Sequence, residues 1–315
     1  MSLNDYSQEL IERIIDFVVE GDEQQAPYPP ADILVIHVGI ARAQVCASDD
    51  LRSCSLVSKA WLPRSRYHLF SNIALYGRYG PPRFIKLLGS PHGNVVPYVR
   101  HLQLYDSGYS HNYEVYWLYK ALPRLALLTA IESLHIGSRE FERLDNTAIA
   151  SCFSNLRLLK YLRINNCSFA SFCQLGNALS ASARLEHLVL NSVRVLRRKK
   201  SGGVWMARAA MLVRLKGVMR TPVYYITHRR APPHLRILEI AKCGFIKKLS
   251  QWLQAGNEPV DTLQLDIERT GDIPAYSVLM RVVARSLKEL RICFKNNVDL
   301  VDLTVAGKYL LSFAV

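Results

Sequence analysis

Nowhere does this sequence hold an apolar run long enough to cross a bilayer. The longest, Ile33–Ile40 (ILVIHVGI), falls far short of the roughly twenty residues that a spanning helix needs. The N-terminal MSLNDYSQEL has no cationic stretch leading into an apolar one, so a secretory signal is not expected and the expected location is cytoplasmic or nuclear. Closely spaced cysteines are missing as well. Cys46, Cys54, Cys152, Cys167, Cys173, Cys243 and Cys293 are odd in number, and no two stand two to four residues apart. That argues against a disulfide framework and against a zinc site, and leaves small buried thiols as the expectation. There is no Gly-rich phosphate loop, no metal-ligand spacing and no Gly-x-Ser-x-Gly elbow, and the nine histidines are scattered. The residues point to no catalytic group, cofactor or metal, and the expectation is a protein that is not an enzyme.

Acidic residues are absent over one long interval, between Glu186 and Glu239. Eleven positive charges fall between Arg194 and Arg230, including the run Arg197–Lys200, and they supply most of the net charge of +14. The chain is thus a balanced sequence carrying one basic insert. RRKK could serve as a nuclear-import address or touch nucleic acid, but short basic runs are more often solvated loops. A nucleic-acid binder built on this segment would show steep salt dependence, lost on neutralising Arg197–Lys200.

With half its residues apolar and 21% charged, the chain has the composition of a folded protein. From Val99 onward a pattern recurs seven times: aliphatic, two variable residues, Leu, one variable, Leu or Ile. It appears as VRHLQL, IESLHI, LKYLRI, LEHLVL, LRILEI, VDTLQL and LKELRI, starting at Val99, Ile131, Leu159, Leu185, Leu235, Val260 and Leu287. Successive starts are 32, 28, 26, 50, 25 and 27 residues apart, the period of leucine-rich repeats with one gap near double. In each copy the aliphatic residues alternate with polar ones, as on a short strand with one buried face. One such strand cannot bury that face alone, but a parallel stack can. Helical returns are expected at Asn112–Leu122, Asn146–Phe153, Phe172–Ala181, Ile246–Ala255 and Pro274–Ser286, with Pro123 and Gly256 ending two of them. The predicted fold is therefore an α/β solenoid with parallel strands on the concave face. Either a degenerate repeat or a loop insertion would fill the double gap.

Outward strand positions form the expected binding surface: His101 and Gln103, Ser133 and His135, Tyr161 and Arg163, His187 and Val189, Ile237 and Glu239, Thr262 and Gln264, Glu289 and Arg291. This mixture suits a protein ligand better than a phosphate backbone, which would favour repeated Lys and Arg.

Ahead of the repeats lie two apolar helical stretches. In Gln8–Val19, Leu10, Ile11, Ile14, Ile15, Phe17, Val18 and Val19 cover about half of the helix circumference. Asp5 and Gln8 could form a capping pair at its start. Asp49–Phe70 reads as a short helix ending near Pro63, with Leu51, Cys54, Val57 and Trp61 on one stripe and Leu56 nearly opposite. Each helix has more apolar circumference than one neighbour can cover.

QELIERIIDFV followed by DLRSCSLVSKAWLPRSRYHLF resembles an F-box, the helical motif of ubiquitin-ligase adaptors. Joined to leucine-rich repeats, it is similar to the F-box proteins of mushroom-forming (basidiomycete) fungi. The carriers are Glu9-Leu10 with Ile14, then Leu51, Leu56-Val57-Ser58-Lys59, Trp61 and Arg66–Phe70. The resemblance implies docking onto the Skp-family adaptor of a cullin–RING (SCF-type) ubiquitin ligase, with the repeats presenting a protein substrate and no chemistry done by the chain itself. Leu10, Ile14, Leu51, Leu56, Val57 and Trp61 are then the candidates for the adaptor interface and the small core beneath it. His101, Gln103, His135, Tyr161, Arg163, His187, Glu239, Gln264 and Arg291 are the candidates for substrate contact. No membrane partner is implied.

The sequence departs from the family pattern in two places. The usual Leu-Pro ahead of the Glu-Leu pair is Leu3-Asn4, farther upstream, and residues Glu20–Ser48 separate helices that the family joins by a short link. That insert is either a surface loop or translated non-coding sequence. An alternative function follows from it: a non-catalytic repeat scaffold whose interrupted F-box no longer docks. The expected divisions are a helical unit over 1–75 interrupted at 20–48, a linker with the first repeat helix over 76–98, and the solenoid over 99–300 with its basic insert at 194–233. A tail without an evident polar cap follows at 301–315.

Overall fold

The computed structural model of the chain describes residues 7–23, 51–76, 80–90, 95–105, 116–137, 141–196, 234–256 and 259–294. Three helices come first: α1 (Gln8–Glu23), α2 (51–57) and α3 (Leu62–Ser71). The Ser7 hydroxyl accepts the Leu10 N–H at 3.3 Å and caps α1; the expected partner Asp5 lies outside the described residues. α1 runs to Glu23, past the expected end at Val19.

The Asp49–Phe70 stretch forms two helices where one was expected, with a turn at 58–61 between them. Pro63 stands in the first turn of α3 and does not end α2. A helix start has unpaired N–H groups in any case, so a residue without one loses nothing there, and its fixed φ already suits the helix. Ile11, Ile15, Leu51 and Trp61 form a small core between these helices, with Cys54, Ala60 and Leu69 half-buried against it. The two halves of the helical unit therefore pack together although residues 24–50, outside the described residues, separate them.

Eight parallel strands follow in one sheet, in the order β1-β2-β3-β4-β6-β8-β9-β10. They are β1 (Asn72–Tyr76), β2 (His101–Tyr105), β3 (Ser133–Gly137), β4 (Tyr161–Asn165), β6 (His187–Asn191), β8 (Ile237–Ala241), β9 (Thr262–Ile267) and β10 (Glu289–Phe294). Seven coincide with the repeat pattern. The eighth, β1, pairs with β2 from Asn72↔His101 to Tyr76↔Tyr105, so the sheet begins inside the stretch expected to be helical. Short strands β5 (Ser168–Phe169) and β7 (Arg194–Val195) make a separate parallel pair.

One hydrogen-bond rule repeats along the stack. The carbonyl just before a strand accepts two successive N–H groups from the next, as Glu132 does from Lys160 and Tyr161 at 2.9 and 3.0 Å. Glu186 accepts from Arg236 and Ile237 at 2.8 and 2.9 Å in the same way. Since β6 pairs directly with β8, no repeat strand stands between them in the sheet; residues 197–233, which fill most of the double-length gap, lie outside the described residues.

Leu102, Leu134, Leu162, Leu188, Leu238 and Leu263 form one buried register row, and Leu104, Ile136, Ile164, Leu190, Ile240 and Leu265 another. Each side chain so buried contributes roughly 1.5–3 kcal/mol. The helices α4 (Gly80–Leu88), α5 (Tyr116–Leu125), α6 (Asn146–Asn155), α7 (Phe172–Ala181), α8 (Ile246–Gly256) and α9 (Ile273–Val283) add to that core, as do connecting residues such as Val99, Ile131, Leu159, Leu185, Leu235 and Val260. Pro123 lies inside α5 and does not end it; the helical path carries on, with the Ala126 N–H reaching the Leu122 carbonyl at 3.0 Å.

The thiols divide. Cys152, Cys167 and Cys243 are buried, whereas Cys173 and Cys293 are exposed, against the expectation of buried thiols. Cys173 sits opposite the buried stripe of α7 formed by Gln174, Leu175, Ala178 and Leu179, and Cys293 sits on the open side of β10. Among the described residues no helix is long and apolar enough to cross a membrane, and no group of three or more His, Cys, Asp or Glu is placed to hold a metal ion.

Candidate functional site

The six residues expected at the N-terminal docking surface separate into two sets. Leu51 is 4% exposed and Trp61 9%, so both belong to the small core and neither offers itself to a partner. Leu10, Ile14, Leu56 and Val57 are 43%, 40%, 85% and 43% exposed. Val57 thus leaves the inward stripe on which the sequence placed it. α2 ends at that residue, and the turn at 58–61 brings Trp61 into the core independently of helical phase.

On α1, Leu10 and Ile14 stand one turn apart and flank the buried pair Ile11 and Ile15. A bidentate ion pair fixes α1 against α3: Arg64 Nε and Nη2 donate to the two Asp16 carboxylate oxygens at 2.7 Å each. His68 Nε2 also lies 2.7 Å from Asp16 Oδ1. The Arg64 hydrogen bonds hold the Asp16 carboxyl below its ordinary value, and the same pairing raises Arg64.

The second surface is the sheet face opposite the helices. Parallel register lines up its outward residues across the strands. One row reads His101, Ser133, Tyr161, His187, Ile237, Thr262, Glu289, and the next Gln103, His135, Arg163, Val189, Glu239, Gln264, Arg291. All nine expected substrate-contact residues lie in these two rows. Val189, outward by alternation, is only 3% exposed, its short side chain flanked in register by Arg163 and Glu239.

Rings continue from strand to strand. The His135 and Tyr161 centroids are 5.0 Å apart, and those of Tyr161 and His187 4.6 Å apart, edge to face. His187 Nε2 lies 2.7 Å from Glu239 Oε1, and that bond lowers the Glu239 carboxyl. Burial, with the charge of Arg163 beside it, lowers His135 to about 4, so its ring is neutral at pH 7. Burial raises the Tyr161 phenol.

Sequence reasoning missed a third outward row, the fifth position of each strand: Tyr76, Tyr105, Gly137, Asn165, Asn191, Ala241, Asp266, Cys293. The six-residue pattern stops one position short of it; counting two further residues along each strand finds it. A Cβ at Gly137 would meet Tyr105 Cδ1 at 2.7 Å, so the glycine leaves the space that this ring occupies.

No family model matches the chain, and no curated protein does. Among solved structures it is similar to the crystal structure of LegL7, a leucine-rich-repeat-containing protein from Legionella pneumophila, at 13% identity and a TM-score of 0.39, over 82% of this chain and 79% of that one. The repeat architecture described above rests on the chain's own strand register and not on that likeness.

Proposed function

We propose that this chain is the substrate-recognition subunit of an SCF-type ubiquitin ligase. Its N-terminal helices dock onto a Skp-family adaptor through Leu10, Ile14, Leu56 and Val57, and the open sheet face binds a protein substrate. The chain itself catalyses nothing and acts by holding the substrate near the ligase. The carrying observation is the separation of core from surface in the helical unit: Leu51 and Trp61 are covered, while four large apolar side chains on α1 and α2 stay in water. Exposed apolar side chains over a small rigid core are what a partner helix or groove needs.

Co-expression with a Skp-family adaptor tests this. Leu10→Asp with Leu56→Asp should abolish co-purification while leaving the far-UV circular dichroism unchanged, because both sites are exposed. Undiminished co-purification of that double variant would refute the docking surface. The length of the segment between α1 and α2 favours a second reading, a repeat scaffold that no longer docks. It predicts that the full chain fails to bind the adaptor and that deleting residues 24–48 restores binding.

A further inference from the structure

We propose that Arg163 anchors the open face and takes a carboxylate from an extended acidic peptide segment of the partner. The inference rests on reading that face as the substrate surface and names the chemistry it selects. Most of the charge there is already matched: Glu239 bonds His187 at 2.7 Å, and Arg291 bonds Glu289 at 2.7 Å. Arg163 has no hydrogen bond or ion pair among the described residues, and its Nε is buried without an acceptor. A half-buried guanidinium in that state is a donor waiting for an anion, since a planar fork of N–H groups matches a carboxylate in two-point geometry.

A second unpaired atom gives the ligand its direction. Asn165 Oδ1, two residues along β4 on the same face, is likewise buried with no partner. Two residues of strand span about 6.6 Å, which is also the repeat of an extended peptide. A segment lying along β4 can therefore place a carboxylate at Arg163 and, with the Asn165 amide turned outward to uncover Oδ1, an N–H at Asn165. The rings of Tyr161 and His135, 5.0 Å apart, stand beside this pair, and apolar walls strengthen a charge pair by lowering the local dielectric.

One cation calls for one negative charge. His135 is neutral at pH 7, so it adds no positive charge to Arg163. The next charged group along the row is the Glu239 carboxylate, two strands away. A doubly charged phosphate would meet too little positive charge here, and a carboxylate fits.

The test is panning of a phage-displayed random dodecapeptide library on the full chain, followed by fluorescence anisotropy with the strongest peptide as the probe. The selected peptides should share Asp or Glu at one position. Replacing that residue in the peptide by its amide, or Arg163→Gln in the protein, should each weaken binding by about tenfold or more, with little further loss when both are combined. Arg163→Lys should recover part of the loss, and Cys173→Ser, on the exposed side of α7 and away from the sheet face, should stay within about twofold of the parent chain. The peptide substitution keeps the test valid even if Arg163→Gln misfolds. The proposal is overturned by an enriched set without an acidic position, by no enriched set, or by an amide peptide that binds as tightly as the acid. The Leu10→Asp, Leu56→Asp chain should bind the probe unchanged, so failure of adaptor docking and failure of the Arg163 anchor are separate results.

Discussion

The helical unit and the sheet spend the same kinds of residue in opposite ways. In the helical unit Ile11, Ile15, Leu51 and Trp61 are covered, while Leu10, Ile14, Leu56 and Val57 are left in water on the same short helices. In the sheet one core runs from Phe84 to Val283, and exposed apolar residues such as Leu127, in the turn after α5, and Val278, on α9, stand apart from one another. Stacked repeats cover each other's apolar faces, so the array completes its core internally. Three short helices have too little mutual surface to do so. The difference marks the helical unit as the part whose burial is unfinished.

The largest effects should come from the two cores, and they should differ in reach. Trp61→Ala should cost about 3–5 kcal/mol, enough to unfold α1–α3 while the sheet stays protected. Leu162→Ala, at a position with no exposure, should cost about 2–5 kcal/mol and loosen β3 and β6 together with β4, since a repeat is supported by its neighbours. Hydrogen exchange read by mass spectrometry separates these outcomes. Loss of protection across the sheet in Trp61→Ala would mean that the two regions share one stability.

Much of this was legible in the sequence, for reasons that also explain the misses. Seven strands were found because an aliphatic residue, Leu and a further aliphatic at fixed spacing report buried positions on one strand face. β1 was missed although Phe70, Ile73 and Leu75 fill the same three places against the core, because the template asked for an aliphatic first residue and Leu fourth. In the helical unit the apolar arcs were visible, but which part of an arc a neighbour covers is a tertiary fact. Periodicity therefore grouped Val57 with Leu51, when the helix ends at 57 and Val57 is exposed. Arg163 was marked as outward, yet the absence of a partner for its Nε depends on every side chain around it.

Acid should weaken the two regions in different windows. His135 is lowered from 6.5 to about 4. Its contribution to the sheet is complete above 6.5, is lost as pH falls from 6.5 towards 4, and changes no further below that. The loss should be on the order of 2 kcal/mol once solvent screening of a half-buried ring is allowed for. Asp16 is lowered from 3.8, chiefly by its bonds to Arg64; its contribution to the helical unit is complete above the ordinary carboxylate range and lost only as pH falls through the lowered value. Urea unfolding at pH 7.5 and pH 5 should show the sheet weakened at pH 5, with His135→Phe removing the difference. Asp16→Asn at pH 7.5 should cost only about 1 kcal/mol, as an accessible ion pair does, and only in the helical unit. An equal pH 5 loss in His135→Phe would assign the acid sensitivity to another group.

The smallest effect tests whether the stack imposes its turn on whatever residue stands there. Asn166, Ser192 and Lys242 each follow directly on a strand, β4, β6 and β8, and each has a left-handed backbone, with φ of 52°, 54° and 55°. The residue after each, Cys167, Val193 or Cys243, is buried. Cys167 and Cys243 turn their thiols back to equivalent carbonyls of the preceding strand, Ile136 at 3.7 Å and Leu190 at 3.6 Å. Burying that residue fixes the turn, so the residue before it bears the strain. Asparagine tolerates this conformation well, lysine regains something from its 2.8 Å ion pair with Glu268, and serine has the least compensation. A left-handed residue other than glycine costs roughly 1–2 kcal/mol, while glycine gives back roughly 0.5–1 kcal/mol in chain entropy. Ser192→Gly should therefore stabilise the sheet by about 0.5 kcal/mol, and Asn166→Gly should be close to neutral. A loss of stability in Ser192→Gly, measured by urea unfolding, would mean that the Ser192 hydroxyl, 3.2 Å from Asn191 Oδ1, contributes more than the strain takes away.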